Sequence, residues 1–513
     1  MFNLKRLAKL FQIGLAAKKV RASQNATEKL LAQRALVNLL ADARGLSMKV
    51  GQLFASVDGS SPFQPLTHSI PALPLHVMRP ILEKSLGQPS KNIFKKIHPA
   101  KAAASLGQVH LAELRDGTPV AIKIRYPDIV KAVETELQLA GLVPNLGKAQ
   151  EWGFDLNAYK QTLRETLENE LDYRSEAKRQ MYFREHVKVP YLEVPFVYDA
   201  FSSESVLVQS QATGVTFPSI IDWSEKERRL IAQTLLQTLF TSVFVAGEIH
   251  ADPHTGNSFY NHCENGSMVT LLDFGCTIHL TQLRRLALLK LILACRERSA
   301  VNAIDCFAAL GFEAQKLAHI QGALPMLCHE LFRPFLIDYA FNINDWQLEK
   351  KIMSLLGEKR WWFRAAGAAD ILLLIRAFQG VILQLQQLHT HLSWWECLKN
   401  STSETLRQQA RDMILPTPNI IVSAYKALDF ASQAQKLHVK ITENNKPLVA
   451  LSLPAEAALD LEILIPEEVR RELDKLKIVD LKSIQEKLKL EGLLPQELFS
   501  CHLNIKHYQV WLQ

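Results

Sequence analysis

The chain has 513 residues, of which 48% are hydrophobic and 22% charged. That balance supports a large core and two to three domains, and it excludes an extended disordered protein. The net charge of +7 is mild and dispersed, which argues against nucleic acid as a partner. Seven scattered cysteines without a Cys-x-x-Cys pair argue against a disulfide framework or zinc site and for a reducing compartment.

Residues 1–27 carry Lys5, Arg6, Lys9, Lys18, Lys19 and Arg21 and no acid, with Leu4, Leu7, Phe11 and Leu15 at helical spacing. Three roles fit this pattern: an amphipathic helix lying on an anionic membrane, an organellar targeting peptide, or a helix docked on the protein. Residues 1–90 read as helical, with a Pro/Ser-rich loop at 59–74. Lys49 and Gln52 are three residues apart and so share a helix face.

Residues 91–210 read as a small lobe of strands around an acidic helix. Gly107–Leu114 and Val120–Ile124 form antiparallel strands across an Asp116-Gly117 turn. Lys123 is a single cation in an apolar strand. A buried ammonium needs a partner carboxylate. The helical stretch Glu165–Arg179 offers Glu165, Glu168, Glu170, Asp172 and Glu176, and periodicity does not choose among them. Val206–Gln209 is the last strand before a hinge near Gly214.

Residues 211–395 read as a helical large lobe. Arg228–Val245 is a long helix that delivers the chain to His250-Ala251-Asp252-Pro253-His254-Thr255-Gly256-Asn257. Two short strands around Asn265-Gly266 follow, then Asp273-Phe274-Gly275. An Asp with an Asn five residues on, then a second Asp before Phe-Gly, is the spacing of a kinase-type phosphoryl-transfer site. On this reading Asp252 faces an acceptor or its water, while Asn257 and Asp273 hold Mg²⁺. Lys123 matches the Val-Ala-Ile-Lys pattern whose lysine meets nucleotide phosphates. A helical pattern at Thr281–Leu286 follows Gly275 almost at once, and no Ala-Pro-Glu segment appears. That leaves no room for a long activation loop to dock a polypeptide.

No run of 18 apolar residues occurs. The nearest, Ile371–Leu388, is interrupted by Arg376, Gln379, Gln384, Gln386 and Gln387, so a buried or amphipathic helix is expected. Residues 396–513 form an accessory region: a hairpin of Leu437–Thr442 with Leu448–Leu453, then short helices at Pro466–Leu476 and Leu481–Leu490.

These motifs resemble the UbiB family, the ADCK-type atypical protein-kinase-like proteins of coenzyme Q biosynthesis, over about residues 30–390. Lys49-Val50-Gly51-Gln52 is similar to its Lys-x-Gly-Gln signature, Ala102-Ala103-Ala104-Ser105 to its Ala-rich loop, and Glu170-Leu171-Asp172 to its Glu-x-Asp motif. The resemblance implies an α+β, two-lobe protein-kinase-like fold. It makes Glu176 the partner of Lys123, and places the Ala102–Ser105 loop and Val109 over ATP or ADP. It pairs Lys49 with Glu170 and Asp172, closing the peptide pocket with the Lys49–Gln52 face. The implied function is ATP hydrolysis supporting ubiquinone or other isoprenoid-lipid metabolism by a cytoplasmic, peripherally membrane-associated protein, with biosynthetic-complex proteins as partners. A small-molecule or lipid kinase and a nucleotide-gated scaffold are the alternatives. One departure is Lys178-Arg179, where many members carry Asn after the Glu-Ala of the acidic helix.

Overall fold

The computed structural model describes residues 72–513 apart from 104–105, 131–152, 154, 265, 422–427, 445, 477–478 and 504. Lys49, Gln52, Ala104 and Ser105, and the basic segment 1–27, lie outside the described residues. Contacts divide the chain into two compact units. The first comprises residues up to 146, 155–280 and 369–392; the second comprises 147–154, 281–368 and 393–513.

The first unit contains an antiparallel sheet of β1 (Phe94–Ala103), β2 (Gly107–Leu114), β3 (Pro119–Arg125) and β5 (Val206–Ser210), in the order β1-β2-β3-β5. The short β4 (Leu192–Glu193) pairs elsewhere. Alternation along β3 divides its side chains. Val120, Ile122 and Ile124 are fully buried in a core with Val206, Val208 and, from helix α1 (Leu75–Leu86), Met78 and Leu82. Ala121, Lys123 and Arg125 take the other face.

The acidic stretch is two helices, α2 (Leu156–Leu171) and α3 (Tyr173–His186), where the sequence suggests one. Asp172 causes the break. Its backbone is extended, and its carboxylate accepts from the N–H of Arg174 (3.0 Å) and the hydroxyl of Ser175 (2.8 Å). An N-cap so satisfied starts a new helix and re-aims the residues after it.

Helix α4 (Glu225–Phe240) starts in a reciprocal capping box between Ser224 and Glu227 and runs into a π-helical turn at Thr241–Ala246. By length and composition Glu225–Ala246 resembles a membrane span, yet 72% of its most apolar stretch is buried within the protein, as in a core helix. Next come β6 (Glu248–His250), the hairpin β7 (Ser258–Cys263) and β8 (Gly266–Leu271), and β9 (Thr277–His279), which pairs with β6. Helix α5 (Ile371–Gln387) completes the unit.

The second unit is helical from Gln282 to Phe332 and ends in a sheet. Strands β10 (Lys436–Glu443) and β11 (Lys446–Pro454) precede helices α6 (Glu467–Leu476) and α7 (Leu481–Glu491). Strands β12 (Gln496–Leu503) and β13 (Lys506–Leu512) follow, giving the antiparallel order β11-β10-β13-β12. The hairpin and both helices fall where the sequence places them. The last two strands are an addition, and their signal is the period-two burial of Phe499, Cys501 and Leu503.

Glu330 is a paired, largely buried acid of this unit. Burial pushes its carboxyl up, but His329 and the Lys351 ammonium at 2.8 Å outweigh that and hold it at about 2. A depressed carboxyl stabilises above its unfolded value, and the contribution is lost as pH falls toward 2. Glu330→Gln should therefore lower the thermal midpoint at pH 7, with the difference shrinking progressively below about pH 4.3. Melting both proteins across that range checks it.

Candidate active site

Lys123 Nζ lies 2.8 Å from Glu176 Oε1 and 2.9 Å from Oε2, so one carboxylate grips it with both oxygens. Asp273 Oδ2 is 3.3 Å from the same nitrogen. The Asp172 break produces this meeting. It sets α3 so that Glu176, fully buried in its first turn, faces the odd-numbered side of β3. Burial disfavours the Lys123 charge, but Asp273 and Glu176 outweigh it and keep the ammonium protonated. Burial also pushes Glu176 up to about 7, against the pull of Lys123 and with Asp273 beside it. Two carboxylates on one ammonium leave excess negative charge, which a divalent cation at Asp273 would relieve.

Tyr173 fills the space next to this pair. Its ring centroid is 5.0 Å from Lys123 Nζ, and it is 1% exposed. Gly107 faces it: a Cβ there would overlap the Tyr173 hydroxyl and the carbonyl of Ile124. Val109 pairs in register with both Ala102 and Lys123, so the end of the Ala-rich strand, Val109 and the lysine lie in one row.

The Asp252 loop leaves β6 and is closed by its own asparagine. Asn257 Nδ2 donates to the Asp252 carbonyl (3.0 Å) and carboxylate (3.3 Å), which leaves its amide oxygen free to serve as an acceptor. The N–H of Leu272 donates to the Asn257 carbonyl, tying the loop to the segment after β8 that carries Asp273. Asp273 Oδ1 accepts from the N–H of Gly275 (2.9 Å). His250, kept neutral by burial, donates from Nε2 to the Asp273 carbonyl. Phe274 is fully buried between the rings of Phe183, at 5.1 Å, and His250, at 5.3 Å.

Helix α5 supplies what motif reading overlooks. Arg376 Nη2 donates to Asp252 Oδ1 within a pair whose side chains are 12% and 19% exposed. Four residues on, a Cβ at Gly380 would overlap the ring of Pro253. Four further, Gln384 Nε2 donates to the Pro253 carbonyl (2.8 Å), and its oxygen accepts from the Tyr260 hydroxyl (3.2 Å). Positions 376, 380 and 384 lie on one helix face, and that face clasps the Asp252 loop. The available signal was Arg376 and Gln384, eight residues apart with Gly380 midway, inside an apolar run. Gly380→Ala should push the loop off the helix and lower turnover by about 10-fold or more, since small misplacements of reacting groups are costly. Steady-state kinetics beside a melting curve separates this from unfolding.

Of the other expected residues, Glu170 is 7% exposed and its side chain approaches Gly275. Asp172 serves as the α3 cap. His254 accepts from the N–H of Gly256 through Nδ1 (3.0 Å) and so shapes the loop. Among the described residues no cluster of three or more His, Cys, Asp or Glu side chains forms a metal cage. Mg²⁺ needs none, because it is held by one or two side-chain oxygens, substrate phosphates and water. Asn257 and Asp273 fit that requirement.

A lysine–glutamate pair on a small antiparallel sheet, an Asp-x₄-Asn loop, and Asp-Phe-Gly after a hairpin define an α+β protein-kinase-like fold. Residues 65–305 match the ABC1 atypical kinase-like domain, which together with the relatives below supports the UbiB/ADCK family of atypical kinase-like proteins. It is 28% identical over 336 residues to the zebrafish (Danio rerio) mitochondrial atypical kinase COQ8B, covering 63% of this chain and 53% of that one. It is 32% identical over 210 residues to the probable protein kinase UbiB of Histophilus somni, covering 38% of each. The matches thus span about half or less of these two relatives. A solved Mycobacterium tuberculosis protein in complex with erythromycin is 25% identical, with a TM-score of 0.49, covering 70% of this chain and 92% of that chain.

Proposed function

We propose that the protein binds Mg-ATP and transfers its terminal phosphoryl group to water or a small acceptor, in support of ubiquinone or another isoprenoid-lipid pathway at a membrane surface. The observation that carries this reading is the complete set of groups: Lys123 locked to Glu176, Asp273 beside them, and Asp252 bonded to Asn257. Phosphoryl transfer is mostly positioning and charge neutralisation. Lys123 would hold phosphate oxygens. Asn257 and Asp273 would hold Mg²⁺, which supplies neutralisation of the developing charge. Asp252, aimed by Arg376 and Asn257, would orient the attacking hydroxyl. The pathway assignment draws on the names of the COQ8 and UbiB relatives. The membrane assignment draws on the basic stripe of residues 1–27.

The test is phosphate release from Mg-ATP by purified protein, with and without anionic liposomes and a phenol that mimics a quinone precursor. Release stimulated by either addition and lost in Asp273→Asn supports the proposal. Tight, metal-dependent nucleotide binding without release under any of these conditions would replace it with a nucleotide-gated scaffold.

A further inference from the structure

Arg179 stands where the acidic helix departs from the family pattern, and its side chain reaches the turn that follows Asp273. Its Nη1 donates to the Gly275 carbonyl at 3.1 Å, across 96 residues of chain. Among the described residues this is the only hydrogen bond of the guanidinium, and no carboxylate pairs with it. Its charge is therefore not spent on an ion pair. Glu176, Arg179 and Phe183 are three and four residues apart and share one face of α3. The first grips Lys123, the second holds Gly275, and the third packs on Phe274.

The turn is held from several directions. The Asp273 carbonyl accepts from His250, and the Cys276 carbonyl accepts from the Ala251 N–H at 3.0 Å. Between them, the Gly275 N–H donates to Asp273 Oδ1 and the Gly275 carbonyl accepts from Arg179. Gly275 is the residue best able to swing, because it has no Cβ to restrict its backbone. Nor is there much room for one: a Cβ would sit 3.1 Å from Asp273 Oδ1 and 3.7 Å from Glu176 Oε2. A residue that must be glycine needs an outside hold, and Arg179 supplies it.

We propose that Arg179 is a positioning residue for the metal site. By fixing the Gly275 carbonyl it keeps the Gly275 N–H on Asp273 Oδ1, and so keeps the Asp273 carboxylate aimed for Mg²⁺. The inference rests on the reading of Asp273 as a metal ligand. It also makes a prediction of distinctive sign. A cation near a metal site repels the metal, so if Arg179 acted through charge alone, its removal would tighten Mg²⁺. If it acts by holding the turn, its removal weakens Mg²⁺.

The test is ATP binding to the full chain, titrated with Mg²⁺ and repeated without metal. Arg179→Met keeps the stem and removes the donor. It should raise the half-saturating Mg²⁺ concentration about ten-fold and leave metal-free nucleotide binding and the melting curve unchanged. Arg179→Lys keeps a donor for the single carbonyl and should recover most of the Mg²⁺ response. An unchanged or tighter Mg²⁺ response in Arg179→Met overturns the proposal alone, as does a loss that Arg179→Lys shares in full. Wild-type ATP binding that ignores Mg²⁺ overturns it together with the metal reading of Asp273.

Discussion

Asp273→Asn should lower Mg-dependent phosphate release by on the order of 10³-fold while leaving the fold intact. The substitution keeps an oxygen able to accept from the Gly275 N–H, so the turn after Phe274 survives. Lys123 keeps Glu176 as its counter-ion. What is lost is one negative charge where the proposed metal would be held. Nucleotide binding should therefore become insensitive to Mg²⁺ while binding without metal persists. Titrating the nucleotide with and without Mg²⁺, beside a turnover assay, checks both halves. Activity within a few-fold of wild type would remove Asp273 from the metal site.

Arg376→Ala should be the most damaging change outside the motifs. It removes a charged partner from a mostly buried carboxylate, a loss worth about 3–5 kcal/mol of stability, and it frees Asp252 to rotate. Turnover should fall by about 10²-fold. Arg376→Lys keeps the charge but not the planar fork, so it should recover most of the stability and little of the turnover. Denaturant unfolding and kinetics on the two variants distinguish aim from charge. If Arg376→Lys were fully active, the guanidinium geometry would not matter. If Arg376→Ala were fully active, the pair would have no part in catalysis.

What the sequence disclosed follows from how local each signal is. The β2–β3 hairpin, the hairpin between the two catalytic segments and the first C-terminal hairpin were legible from turn residues flanked by apolar runs. Asp252, Asn257 and Asp273 stand out because a kinase-type phosphoryl-transfer site would constrain their spacing. Glu176 was different. Five carboxylates shared its stretch, and periodicity assumed a continuous helix, whereas the Asp172 cap resets the phase between Leu171 and Tyr173. Only the family resemblance chose Glu176, and the 2.8 Å contact with Lys123 agrees with it. Arg376 reads in the sequence as an interruption of an apolar run. Its meaning is a contact 124 residues away along the chain, which no local pattern encodes. The final strands escaped because the alternation of Phe499, Cys501 and Leu503 with Ser500 and His502 spans only five residues.

The clasp has a consequence for how the site comes into being. The first unit is discontinuous: residues 281–368 are spelled out before α5 is made, and they belong to the other unit. A ribosome that has released residue 305 has already exported every recognisable motif, yet Asp252 must wait for Arg376. Until roughly residue 392 has emerged, the nascent protein holds the signature of the site without the brace that orients it. A fragment cut where the family match ends would share that condition, folding its sheet while leaving the catalytic loop unbraced. Synthesis order alone thus separates possession of the motifs from possession of an assembled site.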